Sequence, residues 1–170
     1  IAKAPEQAPK IAIVPFSNDQ SIYPIVETDL NRSGRFSSAS QNLPTSGSID
    51  NINAANWKTT GIPYVVVGKI TAIDANTNQV HYQLYDVDKQ KYLLNEVLTV
   101  PTSRIRQAAH MMSDAIYQAL TGIQGDFSGR IAYVLRDPSN SDKRYTLQIA
   151  DTDGERPFTV LSSHYPILSP

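Results

Sequence analysis

The chain has no cysteine. Disulfide staples, thiolate nucleophiles and cysteine zinc sites are therefore excluded, whatever the redox compartment. It also lacks charge of one dominant sign: 15 basic against 16 acidic side chains leave a formal charge of -1. No basic stripe offers a field for nucleic acid or an anionic bilayer. No apolar run approaches the ~18 residues of a membrane span, so direct membrane insertion is not expected. Residues Ile1 to Lys10 are polar and proline-bearing, unlike a signal peptide. The expectation is a cytosolic chain, or an exported one whose signal has been removed.

Phosphate-binding and nucleophile motifs are missing too. The glycines never assemble G-x-G-x-x-G or a P-loop, and there is no G-x-S-x-G elbow. The histidines are His81, His110 and His164, with no pair at metal-ligand spacing. Asp151-Thr152-Asp153-Gly154-Glu155 begins like a calcium loop but lacks the third acidic position and a glutamate at the twelfth. Asp-Gly between two strands reads as a hairpin turn. No catalytic residue, cofactor or metal ligand is expected.

What is present divides into two regimes. Pro5 and Pro9 make residues 1–10 an extended arm. Ile11-Ala12-Ile13-Val14, closed by Pro15, reads as a strand buried on both faces. Ser21 is a candidate helix cap, with Ile22, Ile25, Val26 and Leu30 on one helical face and Gly34 as the stop. Asp29 falls inside that apolar stripe, which implies a structural carboxylate bonded to backbone or an arginine. A short strand over 35–39, a polar loop over 40–48 and a brief helix over 53–60 carrying Trp57 follow.

The β-branched run Tyr64-Val65-Val66-Val67 predicts a central strand within 62–73. Residues 79–87 alternate, predicting a half-exposed antiparallel strand, and 92–100 a further one. The strongest helix spans 103–121, capped by Thr102 or Ser103 and terminated by Gly122. Ile105, Ala108, Ala109, Met112 and Ile116 fill its core face; His110 and Asp114, four apart, read as a surface pair on the other. Beyond a glycine hinge at 125–129 the pattern changes to three short strands over 130–136, 144–150 and 158–162. Three strands cannot bury both faces alone, so this reads as part of a stacked unit such as a propeller blade, with edges open to self-association.

The fold class is therefore α/β (α+β, a mixed sheet packed with helices) followed by a partial β-propeller segment. Its divisions are an arm over 1–10, an α/β domain over 11–124 and a truncated blade over 125–170.

The ordered landmarks Ile11-Ala12-Ile13-Val14-Pro15-Phe16, Asp29-Leu30-Asn31-Arg32-Ser33-Gly34-Arg35-Phe36, Ala55-Asn56-Trp57, Val65-Val66-Val67-Gly68 and Tyr82-Gln83-Leu84 resemble the TolB family of the Gram-negative Tol-Pal envelope system. Leu120-Thr121-Gly122-Ile123, Gly125, Phe127 and Arg130-Ile131-Ala132-Tyr133-Val134 are similar to that family's domain junction. The resemblance implies a periplasmic, non-enzymatic, cofactor-free protein with the N-terminal domain plus about one propeller blade. It implies a part in outer-membrane integrity and cell division through protein contacts. In the family the N-terminal segment binds the C-terminal domain of TolA, and the propeller binds the lipoprotein Pal, a surface mostly outside this chain. The positions carried over for TolA are Ile1, Ala2, Lys3, Ala4, Pro5, Glu6, Gln7 and Ala8, although the family segment begins several residues upstream of Ile1. The reading from a different class is a small-molecule-binding or hydrolytic α/β domain with a site near Ser17, Asn18 and Asp19, at a strand end.

Overall fold

The computed structural model of the chain describes residues 8–18, 21–39, 43–44, 47–136 and 144–168. The chain divides into two compact units, 1–125 and 126–170.

The first unit is built on a five-stranded mixed sheet. Strand β1 (Lys10–Ile13) leads through helix α1 (Ile22–Arg32) to β2 (Ser37–Ser38), which pairs parallel to β1. A small hairpin, β3 (Gly47–Ser48) and β4 (Asn51–Ile52), precedes helix α2 (Ala54–Lys58). Then β5 (Tyr64–Ala72) returns parallel to β1, and β6 (Thr77–Asp86) and β7 (Lys91–Pro101) extend an antiparallel meander. The strand order is β2-β1-β5-β6-β7. Helix α3 (Ile105–Thr121) closes the unit and packs against α1.

Both sheet faces are covered near the centre, which is why β1 and β5 read as continuous apolar runs. On one face Ala12, Val65, Val67 and Tyr85 form a cluster with Trp57 of α2 and with Ile62 and Val87. On the alternate face lie Ile11, Ile13, Val66, Val80 and Leu84, all buried, where the buried residues Val26 and Leu30 of α1 and Ala109, Met112 and Ile116 of α3 complete the core. Phe16 packs so closely over Gly68 that a Cβ there would lie 2.2 Å from its ring. The strand therefore needs glycine at this point, for close approach rather than for backbone freedom.

Several local expectations are corrected. Ser21 occupies the N-cap position of α1, but its side chain makes no capping bond. Neither Thr102 nor Ser103 caps α3, which starts through a 3-10 turn over Thr102–Arg104. Helix α2 does have a side-chain cap: Asn53 Oδ1 accepts the Ala55 and Asn56 amides. The polar loop contains strand β3, held by pairing with β4. Strand β6 is not half-exposed: from Tyr82 to Asp86 every residue is buried. The β3–β4 hairpin accounts for this, because Gln83 is tied to Asp50 on the face that alternation assigns to water. Helices α1 and α3 stop as read, at Gly34 with φ +67 and at Gly122 with φ +72.

The second unit is an antiparallel sheet of β8 (Arg130–Arg136), β9 (Tyr145–Asp151) and β10 (Phe158–Ser163) in the order β10-β9-β8. Its core is slight: Phe158, Val160, Leu161, Ile131 and Leu135 are exposed. A mixed sheet with helices, followed by strands of a partial propeller, is the architecture of the chain.

Candidate functional site

The polar clusters of the first unit are tied to structure. Asp29 is 1% exposed on α1. Its Oδ2 lies 2.7 Å from His110 Nδ1 on α3, and its Oδ1 3.4 Å from the Arg32 guanidinium. The arginine partner matches the sequence reading; the histidine does not. His110 is 2% exposed, so its assignment to a surface pair with Asp114 is overturned. A carboxylate inside an apolar stripe needs partners, and a polar residue beside Ala109 on the other long helix was the available signal. The pair joins α1 to α3 at the level of the core.

A second network lies across the sheet. Gln83 Oε1 accepts the Asp50 amide at 2.9 Å, and its Nε2 donates to Asp50 Oδ1 at 2.6 Å and Asn95 Oδ1 at 3.3 Å. His81 Nε2 lies 2.7 Å from the same Asn95 oxygen. Asp50 has φ +59, a left-handed conformation in which its backbone and side chain both meet Gln83. The network fixes the β3–β4 hairpin to the sheet.

The strand-end site near Ser17, Asn18 and Asp19 is only partly within view, since Asp19 lies outside the described residues. Ser17 N–H donates to Gly68 O and Ile70 N–H to Ser17 O, both at 3.1 Å, so its main chain prolongs the sheet. Asn18, with φ +70, donates from Nδ2 to Ile70 O at 3.3 Å. The adjoining cleft of about 380 Å³ is lined by Asn18, Ser21, Ile70, Asn78, Thr102 and Ile105. These can form hydrogen bonds, but none of them supplies an acid, a base or an activated nucleophile at neutral pH.

Burial, with the nearby Asp50 and Tyr85 adding to it, raises the Tyr92 phenol, and among the described residues two further side chains have displaced ionisation. Burial, reinforced by the Glu96 charge, pushes the Tyr82 phenol up to about 12. Asp74 is held below its usual range by the Asn76 amide and the Thr77 hydroxyl at the β5–β6 turn. Both act in the fold: a buried phenol on β6 and a carboxylate ordering a turn.

Of the predicted partner-binding positions, Ile1, Ala2, Lys3, Ala4, Pro5, Glu6 and Gln7 lie outside the described residues. Ala8 and Pro9 are described. They line a groove of about 580 Å³ with Lys10, Ser37, Gly61 and Pro63, at the start of β1. Pro9 O accepts the Ser37 amide at 3.1 Å, which anchors the chain where it joins the sheet.

In the second unit, Asp151-Thr152-Asp153-Gly154 forms the turn after β9. Gly154 N–H donates to Asp151 O at 2.8 Å, with φ +85 at the glycine. The Asp151 carboxylate receives Arg156 Nε at 2.9 Å and Nη2 at 2.7 Å. Thr152 Oγ1 donates to Phe127 O at 2.7 Å, tying the turn to the start of the unit. Arg130 sits 5.9 Å above the Phe158 ring. These contacts order a loop and leave the outer strands open.

The family model of the TolB amino-terminal domain matches residues 1–93. The chain is 78% identical over 170 residues to the Tol-Pal system protein TolB of Acinetobacter baylyi, covering all of this chain and 40% of that protein. It is 37% identical over 181 residues to the Tol-Pal system protein TolB of Thioalkalivibrio sulfidiphilus, covering 41% of it. The crystal structure of TolB from Acinetobacter baumannii matches 99% of this chain with a TM-score of 0.90 and 70% sequence identity, and 42% of that chain is covered. The chain thus spans about two fifths of the length of these relatives. With the ordered sequence landmarks, the family model over more than half of its residues and the same backbone in a solved relative, the chain belongs to the TolB family.

Proposed function

We propose that this chain is the N-terminal docking portion of a periplasmic, non-enzymatic Tol-Pal component that connects a TolA-type inner-membrane protein to a Pal-type lipoprotein. Contact with TolA would use the arm Ile1, Ala2, Lys3, Ala4, Pro5, Glu6, Gln7 and Ala8 by strand addition, in which main-chain groups pair with the edge of a partner sheet. Contact with Pal would use propeller surface, most of it beyond the single blade represented here. Through these two contacts the protein would support outer-membrane integrity and cell division.

The observation that carries this reading is the way the chain joins the sheet. Pro9 is anchored by the Ser37 amide, so residues ahead of it reach a partner from a fixed point. The polar networks in the first unit support a binding role, since each is spent on holding elements together. The test is titration of a TolA C-terminal domain against the chain with and without residues 1–8, read by calorimetry. Loss of binding on deletion is expected; equal affinity removes the arm from the mechanism.

A further inference from the structure

The central sheet ends in two unlike edges. Strand β2 is two residues long, whereas β7 runs for eleven and, among the described residues, pairs only with β6. Three backbone bonds establish which amides of β7 face outward. Val87 N–H donates to Pro63 O and Ile73 N–H to Thr77 O, so odd-numbered residues of β6 exchange bonds with β5. Thr102 N–H donates to Asn76 O, so even-numbered residues bond between β6 and β7. Asn95, Val97 and Thr99 therefore turn N–H and C=O away from the sheet. Among the described residues no hydrogen bond reaches these main-chain groups.

Edges of this length are ordinarily blunted by lysine, proline or an outward bulge. Between Tyr92 and Val100 β7 has no lysine and no proline. Its register shift opposite Leu84 and Tyr85 precedes this segment, and pairing is regular from Leu94 onward. Val97 is 51% exposed and Asn95 and Thr99 are exposed beside it. The Asn95 side chain is held by His81 and Gln83, which leaves only its backbone for a partner.

Charge selects the occupant. Glu96 is the sole charged side chain in this stretch, and it is exposed. A second copy paired about Glu96 would set the two carboxylates directly opposite each other, and paired about Val97 it would set them on a diagonal; like charges so placed are unfavourable. A basic side chain at that point is favourable. We propose that the β7 edge accepts an extended, proline-free peptide strand from a partner protein, antiparallel to Asn95–Thr99, with a lysine or arginine opposite Glu96. Each outward residue contributes one donor and one acceptor to the added strand. This surface belongs to the sheet and is independent of the N-terminal arm.

The test uses the whole 170-residue chain and two short labelled peptides of alternating valine and threonine, one with a single central lysine and the other with glutamate, read by fluorescence anisotropy. The lysine peptide should bind about fivefold more tightly, and Glu96→Lys should reverse that preference. Val97→Pro removes an outward N–H but no bond to β6, so binding should be lost while the circular dichroism spectrum is retained. Binding of neither peptide, an unchanged preference in Glu96→Lys, or sedimentation showing the edge filled by a second copy would each overturn the proposal.

Discussion

Both units of this chain are built on strand pairing, mixed in the first and antiparallel in the second, yet only the first uses it to enclose a core. In the first, helices and a small hairpin cover both faces of the sheet, and Trp57, Ile11, Val65, Val66 and Leu84 have no accessible surface. In the second, three strands of similar length leave Phe158 at 49%, Val160 at 52% and Leu161 at 51% exposed. The difference teaches that ladder hydrogen bonds alone do not make a buried domain: water competes for each of them, and the net gain comes with apolar area removed from solvent.

The largest way to break that comparison is truncation in each unit. Trp57→Ala should cost about 3–5 kcal/mol, whereas Phe158→Ala should cost less than about 1 kcal/mol. Urea unfolding followed by circular dichroism measures both, and equal losses would mean the second unit has a core of its own. Next comes close packing. Gly68→Ala drives a methyl into the Phe16 ring and should cost about 3 kcal/mol; Gly154→Ala meets no atom within 4 Å but must hold φ +85, costing about 1–2 kcal/mol.

A smaller effect separates the units by pH. The buried Tyr82 phenol is raised from 10.0 to about 12, so the folded state keeps a proton that the unfolded state releases. The stabilising contribution is complete below pH 10 and is lost as pH rises to about 12, by on the order of 2 kcal/mol. Tyr82→Phe should flatten alkaline denaturation over that window, and an unchanged slope would show that the phenol is not the source.

The smallest expected effect concerns the open strands of the second unit. Edges β8 and β10 should give weak association that grows with concentration, and Val160→Lys should reduce it in static light scattering. A monomer at every concentration, with rapidly exchanging amides in β8 and β10, would retire the idea.

Much of the first unit was legible because its patterns are local. The Ile22, Val26, Leu30 stripe, the β-branched run of β5 and the glycine stops each state one element without reference to any other, as the Asp-Gly turn does in the second unit. Ala8 and the arm ahead of it were assigned through family resemblance, and no local pattern marks them as a binding segment. Two errors came from polar residues that are buried by distant partners. His110 sits among apolar neighbours on α3, but its partner Asp29 is 81 positions away. Gln83 alternates onto the outward face of β6, yet Asp50, 33 positions earlier, covers it.

From the amino acids alone came the long strands, the helices, the change of regime near Gly125 and the absence of cysteine chemistry and strong net charge, because each follows from side-chain type and spacing along the chain; the β3–β4 hairpin did not. Tertiary structure alone decided that α1 and α3 are joined through a buried Asp29–His110 contact, that both faces of β6 are closed from Tyr82 to Asp86, and that β7 is a long edge with β6 as its one strand partner among the described residues. Those are pairings between segments far apart in sequence. Their burial is set by which surfaces meet, and no periodicity within one segment encodes it.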